Sequence, residues 1–92
     1  MTKSELVDRI VERTSVPKKL SEHIINLIFD EMVENLKNNK RVEIRGFGSF
    51  SIKQYKGYTG RNPKTGEKVE VKSKRLPFFK VGKELKEKVD IE

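Results

Sequence analysis

Lys40-Arg41-Val42-Glu43-Ile44-Arg45-Gly46-Phe47-Gly48-Ser49-Phe50-Ser51-Ile52-Lys53 is where the chain changes period. Val42 and Ile44 alternate with Glu43 and Arg45, Gly46-Phe47-Gly48 supplies a turn, and Phe50 and Ile52 alternate with Ser51 and Lys53. This period of two marks a β-hairpin with one buried face. Upstream the apolar residues recur at helical spacing instead, so the fold class is α+β.

Residues 2 to 13 form the first expected helix. Thr2 and Glu5 make an S/T-x-x-E capping box, and Leu6, Val7, Ile10 and Val11 share one face. Thr14-Ser15-Val16-Pro17 interrupts it, because proline disfavours helical geometry in the residue before it and is itself tolerated in a first turn. A second helix is expected from about Lys18 to Asn38. Its apolar positions, Leu20, Ile24, Ile25, Leu27, Ile28, Phe29, Met32, Val33 and Leu36, cover more than one stripe. A helix so widely apolar needs cover on more than one side, and a partner subunit is the natural source. Asn38-Asn39 suits the helix end, where asparagine tolerates a left-handed cap.

The 92 residues make one domain, a size at which the core alone is modest and a supplement is common. With no Cys and only His23, neither disulfides nor a thiolate or multi-histidine metal site can supply it. Oligomerisation remains, and a dimer is expected. No apolar run approaches the roughly 20 residues of a membrane span, and the N-terminus lacks the apolar core of a signal peptide. A soluble, intracellular protein is expected, with no membrane partner.

Charge is concentrated in one half. From Ser51 to Lys83 there are ten Lys or Arg against Glu67 and Glu70, whereas residues 1 to 50 carry nine basic against eight acidic side chains, within a formal net charge of +7. Clustered cations favour a polyanion, since each one placed on a phosphate releases condensed counterions. Within this half the apolar supply beyond Lys53 falls to Tyr55, Tyr58, Val69 and Val71 before Leu76. Two extended strands meeting at Asn62-Pro63-Lys64-Thr65-Gly66 can pair with each other but have too little apolar surface to pack on a core. Residues 54 to 74 therefore read as a protruding β-ribbon arm reaching about 30 Å at about 3.3 Å per residue. A surface loop that orders on binding is the other description of the same segment. Leu76-Pro77-Phe78-Phe79 returns the chain to the core. Gly82 precedes a short helix from about Lys83 to Val89, with Leu85 and Val89 expected to face inward.

Catalytic chemistry finds little support. Gly60 to Gly66 has five residues between its glycines and is followed by Glu67, which departs from the P-loop pattern. His23 falls at helical spacing from Leu20 and Leu27, as a partly buried structural histidine would. No Cys, second His or serine-centred motif is left to build a nucleophile. Nucleic acid fits better: a two-stranded ribbon enters a groove, cations along it reach phosphates, and a rigid ring at the tip can wedge between base pairs. From the residues alone Pro63 reads first as an ordinary turn proline, ahead of a wedge.

Val42-Glu43-Ile44-Arg45-Gly46-Phe47-Gly48-Ser49-Phe50, Gly60-Arg61-Asn62-Pro63-Lys64-Thr65-Gly66 and Phe79-Lys80-Val81-Gly82-Lys83-Glu84-Leu85 resemble the HU and integration host factor family of bacterial DNA-bending proteins. The resemblance covers essentially the whole chain, including Met1-Thr2-Lys3-Ser4-Glu5-Leu6, with the motifs in order at the family spacing. It implies an intertwined dimer with a helical base (1–39), saddle strands (40–53 and 75–81), a DNA-binding arm (54–74) and a C-terminal helix (82–92). It further implies minor-groove binding to double-stranded DNA, bending without catalysis or cofactor, no small-molecule substrate, and a place in the cytoplasm at the bacterial nucleoid. By the same resemblance Pro63 intercalates, and Arg61, Asn62, Lys64, Tyr58 and Lys56 line the groove. Lys3, Lys53, Lys72, Lys74, Arg75, Lys80, Lys83 and Lys86 contact phosphates, and Phe47, Phe50, Phe79 and Phe29 belong to the dimer core.

The Glu-Ile-Arg-Gly-Phe-Gly-Ser-Phe wording looks like the beta subunit of integration host factor, in which Arg45 would help read sequence and Glu43 would hold it. A homodimer acting generally and a heterodimer with a related subunit are both open, and an RNA-binding or scaffold protein is the alternative outside the family. Two departures stand out: Tyr58 where many relatives place a basic residue, and Val81 where a proline is common.

Overall fold

The computed structural model describes residues 1–90; Ile91 and Glu92, the end of the expected C-terminal segment, lie outside the described residues. The chain divides into two units, residues 1–35 and 36–92. The first holds α1 (Lys3–Thr14) and most of α2 (Lys18–Lys37). Thr2 caps α1 as its spacing predicts, with Oγ1 accepting from the Glu5 N–H at 3.1 Å. The helix stops at Ser15, which adopts the left-handed conformation and donates its N–H to Val11 at 3.0 Å. Pro17 then starts α2 by accepting from the Ser21 N–H at 2.9 Å.

Val7 of α1 and Ser21 and Ile25 of α2 are the buried residues of this unit. Leu20, Leu27, Ile28, Phe29 and Val33 remain about half exposed, so the breadth of the apolar surface exceeds what one chain covers. His23 differs from expectation. It is exposed, because two residues from both Ser21 and Ile25 it turns some 200° away from the buried line of α2, and the Leu20 and Leu27 that suggested burial are themselves exposed.

The second unit opens with the end of α2. Asn39 takes the left-handed conformation that ends the helix, donating its N–H to Leu36 at 3.1 Å. Then come β1 (Val42–Ile44), β2 (Gly48–Tyr55), β3 (Tyr58–Arg61), β4 (Lys68–Val71), β5 (Lys74–Val81) and α3 (Lys83–Val89). A three-stranded antiparallel sheet has the order β1-β2-β5, and β3 and β4 pair as a separate two-stranded sheet. The body ladder runs from Gly48 opposite Val81 to Tyr55 opposite Lys74, so Gln54, Tyr55 and Lys74, expected in the arm, belong to the body sheet. It breaks at Lys56-Gly57 and Lys72-Ser73. Gly57 is required there: a Cβ would lie 2.8 Å from the Val71 carbonyl oxygen and 2.9 Å from the Ser73 nitrogen, closer than side chains come.

Register sorts the body sheet into two faces. Val42, Ile44, Phe50, Ile52, Pro77, Phe79 and Val81 share one; Glu43, Ser49, Ser51, Lys53, Tyr55, Lys74, Leu76, Phe78 and Lys80 share the other. On the apolar face Phe79 packs against Phe50 with centroids 4.7 Å apart, and its ring lies 5.6 Å from that of Phe47. Leu85 on α3 is half-buried, whereas Val89, expected to face inward, is 71% exposed at the last residue of a two-turn helix.

Candidate nucleic-acid interface

The arm tip is a closed, hydrogen-bonded turn. Arg61 stands opposite Lys68 in the last rung of the β3–β4 ladder. Beyond it the Asn62 N–H donates to the Glu67 carbonyl at 2.9 Å, the Gly66 N–H donates to the Asn62 carbonyl at 2.7 Å, and Asn62 Oδ1 accepts from the Lys64 N–H at 2.9 Å. Asn62 thus shapes the turn with its side chain, the local bond asparagine makes best. Pro63 sits exposed at the apex with no N–H to satisfy. Two cations directly opposite across a ladder repel each other, an arrangement that a polyanion relieves. Lys68 was missed in the sequence; the hairpin register counted back from the Pro63 turn was the signal that could have found it.

The two faces of the arm differ. Arg61 and Lys68 lie with Thr59 and Glu70, while Tyr58 lies with Gly60, Val69 and Val71 on the other side. Tyr58 is 65% exposed, and its ring lies beside Gly60.

On the body, Lys53, Lys74 and Lys80 share the polar face, with Lys53 Nζ 3.7 Å from the Phe78 ring centroid and Lys74 Nζ 6.0 Å from that of Tyr55. A groove beside it is lined by Arg41, Glu43, Arg45, Lys80 and Lys83, four cations around one carboxylate. Glu43 pairs with Arg41 at 3.4 Å, where the resemblance had implied Arg45 as its partner. Arg41 is thus a second cation that the sequence assignments omitted, legible only from its i, i+2 placement beside Glu43.

Not every expected cation joins this surface. Arg75 falls on the opposite face from Lys74, and its guanidinium donates to the carbonyls of Leu36 and Lys37 and to Asn39 Oδ1. It closes the carbonyl end of α2, where a cation also meets the helix dipole favourably. Arg75→Ala is therefore expected to lower stability by about 1 kcal/mol with little change in the salt dependence of DNA binding. Lys80→Ala should do the reverse, lowering the slope of log affinity against log salt by about 1; denaturant melts and salt titrations of both variants separate the two roles. Lys3 belongs to the helical unit, donating to Asn26 Oδ1 at 2.7 Å, and Lys83 lies 4.0 Å from Glu87 on α3. Lys56 and Lys72 sit at the break between the ladders, and Lys86 is exposed on α3. Phe47, Phe50 and Phe79 cluster in the second unit, and Phe29 lies on α2, 44% exposed.

Among the described residues no group of three or more His, Asp or Glu could hold a metal, and no helix is long and apolar enough to cross a membrane.

A family model described as bacterial DNA-binding protein matches residues 1–90. The chain is 51% identical over 90 residues to integration host factor subunit beta of Idiomarina loihiensis, covering 98% of this chain and 97% of that one. It is 50% identical over 92 residues to the same subunit of Pasteurella multocida, covering 99% and 98%. Among solved structures, an Anabaena HU–DNA cocrystal structure aligns with a TM-score of 0.83 at 40% identity over 98% of each chain. HU from Thermotoga maritima aligns with a TM-score of 0.70 at 32% identity over 98% of this chain and 100% of that one. The ribbon arm, the basic sheet face and these likenesses agree: the chain belongs to the bacterial DNA-binding protein family of HU and integration host factor, and is an architectural DNA-binding protein.

Proposed function

We propose that two copies of this fold, identical or related, grip double-stranded DNA along its minor groove and bend it without catalysis, with Pro63 as the wedge. The observation that carries this reading is the exposed proline at the apex of a hydrogen-bonded turn, immediately beyond the facing pair Arg61 and Lys68. Arg61, Asn62, Lys64, Lys56 and Tyr58 line the groove, and Lys53, Lys72, Lys74, Lys80, Lys83 and Lys86 supply phosphate contacts. Unstacking a base step costs a few kcal/mol, offset by contacts that only bent DNA makes with the protein flanks. Such a protein works in the bacterial cytoplasm, organising the nucleoid and helping to assemble recombination, replication and transcription complexes. Ring closure of short linear DNA tests it: closure should rise with added protein, and unchanged closure would reject bending.

The dimer follows from the half-exposed apolar residues of α2, which a second subunit would cover. Sedimentation of the purified chain is expected to give twice the monomer mass at micromolar concentration. A monomer that becomes dimeric only with a related subunit would favour the heterodimer. For that second reading the specific observation is the Arg41–Glu43 pair beside Arg45, a charged group able to fix an arginine against a base edge or phosphate. Comparing affinity for random DNA and for a selected site decides how much sequence it reads, and competition with RNA tests the alternative outside the family.

A further inference from the structure

The polar face of the body sheet carries a feature that phosphate binding does not use. Along β5 the residues on this face are Lys74, Leu76, Phe78 and Lys80, so two large apolar side chains stand between two cations where alternation calls for polar ones. Leu76 is 42% and Phe78 39% exposed. Phe78 is opposite Ser51 and Leu76 opposite Lys53, and the Lys53 ammonium rests on the Phe78 ring. An apolar strip flanked by lysines suits a surface that is itself apolar and flanked by negative charge.

The geometry points to Phe78, supported by Leu76, as a contact for the deoxyribose of the bound duplex, with Lys53 beside it on the adjoining phosphate. This rests on the proposed DNA-binding function and adds a binding residue to it. Three strands at about 4.8 Å spacing make a face too broad for a B-DNA minor groove about 6 Å wide. Such a face meets the sugar edges along the groove rim, where C4′ and C5′ hydrogens alternate with phosphates. A second copy of this chain is a poor occupant, because a symmetric contact would set Lys53, Lys74 and Lys80 against their own counterparts. The ring also holds the Lys53 ammonium over the sheet, so less side-chain freedom is lost when it meets a phosphate. A ribose would press its 2′-hydroxyl on the ring and lose solvation, so the contact favours DNA over RNA.

Equilibrium binding to one duplex DNA and to an RNA duplex of the same sequence, across a range of salt, tests the assignment in the full-length dimer. Phe78→Ala is expected to weaken DNA binding about five- to tenfold at every salt concentration, leaving the salt slope unchanged, since an apolar contact releases no counterions. Phe78→Leu, which keeps the apolar contact and loses the cation–ring contact, should stay within about threefold of wild type. Lys53→Ala should instead reduce the slope by about 1. The DNA-over-RNA preference should narrow in Phe78→Ala. If that variant fails to fold, Phe78→Gln carries the same expectation with most of the bulk retained.

Unchanged DNA affinity in Phe78→Ala would overturn the proposal. So would a slope change matching that of Lys53→Ala, or equal losses on DNA and RNA. Wild-type protein that binds and bends duplex DNA while any of these results holds removes only this contact. Wild-type protein that fails to bind the duplex removes the proposed function itself.

Discussion

Replacing Pro63 with alanine is expected to lower ring closure of a short DNA fragment by about tenfold while affinity falls by less than about threefold. The substitution isolates the ring. The tip is held by bonds of Asn62 with Lys64, Glu67 and Gly66, none of which involves residue 63, so alanine can occupy the same turn. What it lacks is the rigid apolar wedge, which loses little entropy on insertion because its backbone angle is already set. On the proposed reading affinity rests instead on cations along the arm and on the sheet face, all retained in the variant. Equal closure by the two proteins would sink the wedge and leave Pro63 as a turn former.

Phe79→Ala should remove about 3 kcal/mol from the stability of the dimer, read as a shift of the denaturant midpoint at fixed protein concentration. Phe79 touches both other aromatic side chains of the apolar sheet face, with ring centroids 4.7 Å from Phe50 and 5.6 Å from Phe47. Truncating it leaves a void between residues whose positions are fixed by the β2–β5 register, so the site has little freedom to collapse. In a single chain it is still 38% exposed, and a partner subunit is what would complete its burial. Its neighbour Phe78 is an internal control. Equally large and one position away, it lies on the opposite face, and Phe78→Ala should cost less than about 1 kcal/mol of stability. A larger loss from Phe78→Ala than from Phe79→Ala would show that the two faces are reversed, and equal losses would show that both rings are buried in the dimer.

Much of this was legible because the signals were local. The Thr2–Glu5 spacing, Pro17, Asn39 and Gly82 bracket the helices through backbone chemistry that needs no tertiary context, and β1 and β2 follow from strict alternation. The failures share a different cause. His23 was judged by its spacing from Leu20 and Leu27, residues whose own cover lies outside the single chain. Arg75 stands with the phosphate-binding cations only by the resemblance, and neither that nor charge counting says which face it occupies; the ladder register separates it from Lys74. Lys68 went unnoticed for the same reason, since its meaning comes from standing opposite Arg61. Phe78 was read as part of a return to the core, and a run of Leu76-Pro77-Phe78-Phe79 cannot reveal that alternate members point to opposite sides. Pro63 is the remaining case: its placement at the apex follows from local turn chemistry, but its action on a base step depends on the partner.

The interruption between the body ladder and the arm ladder has a mechanical consequence. At Lys56-Gly57 and Lys72-Ser73 rungs are missing from the ladder, yet the two strands keep one register, with Tyr55 opposite Lys74 and Tyr58 opposite Val71, and close against each other at Gly57. Fewer hydrogen bonds resist bending and twisting there than along either ladder, so a load at the tip deforms the ribbon first at this point. Under the proposed function the arm would hold a kinked helix from this compliant point, and the stiffer sheet face beneath would set the curvature between the kink and the flanks.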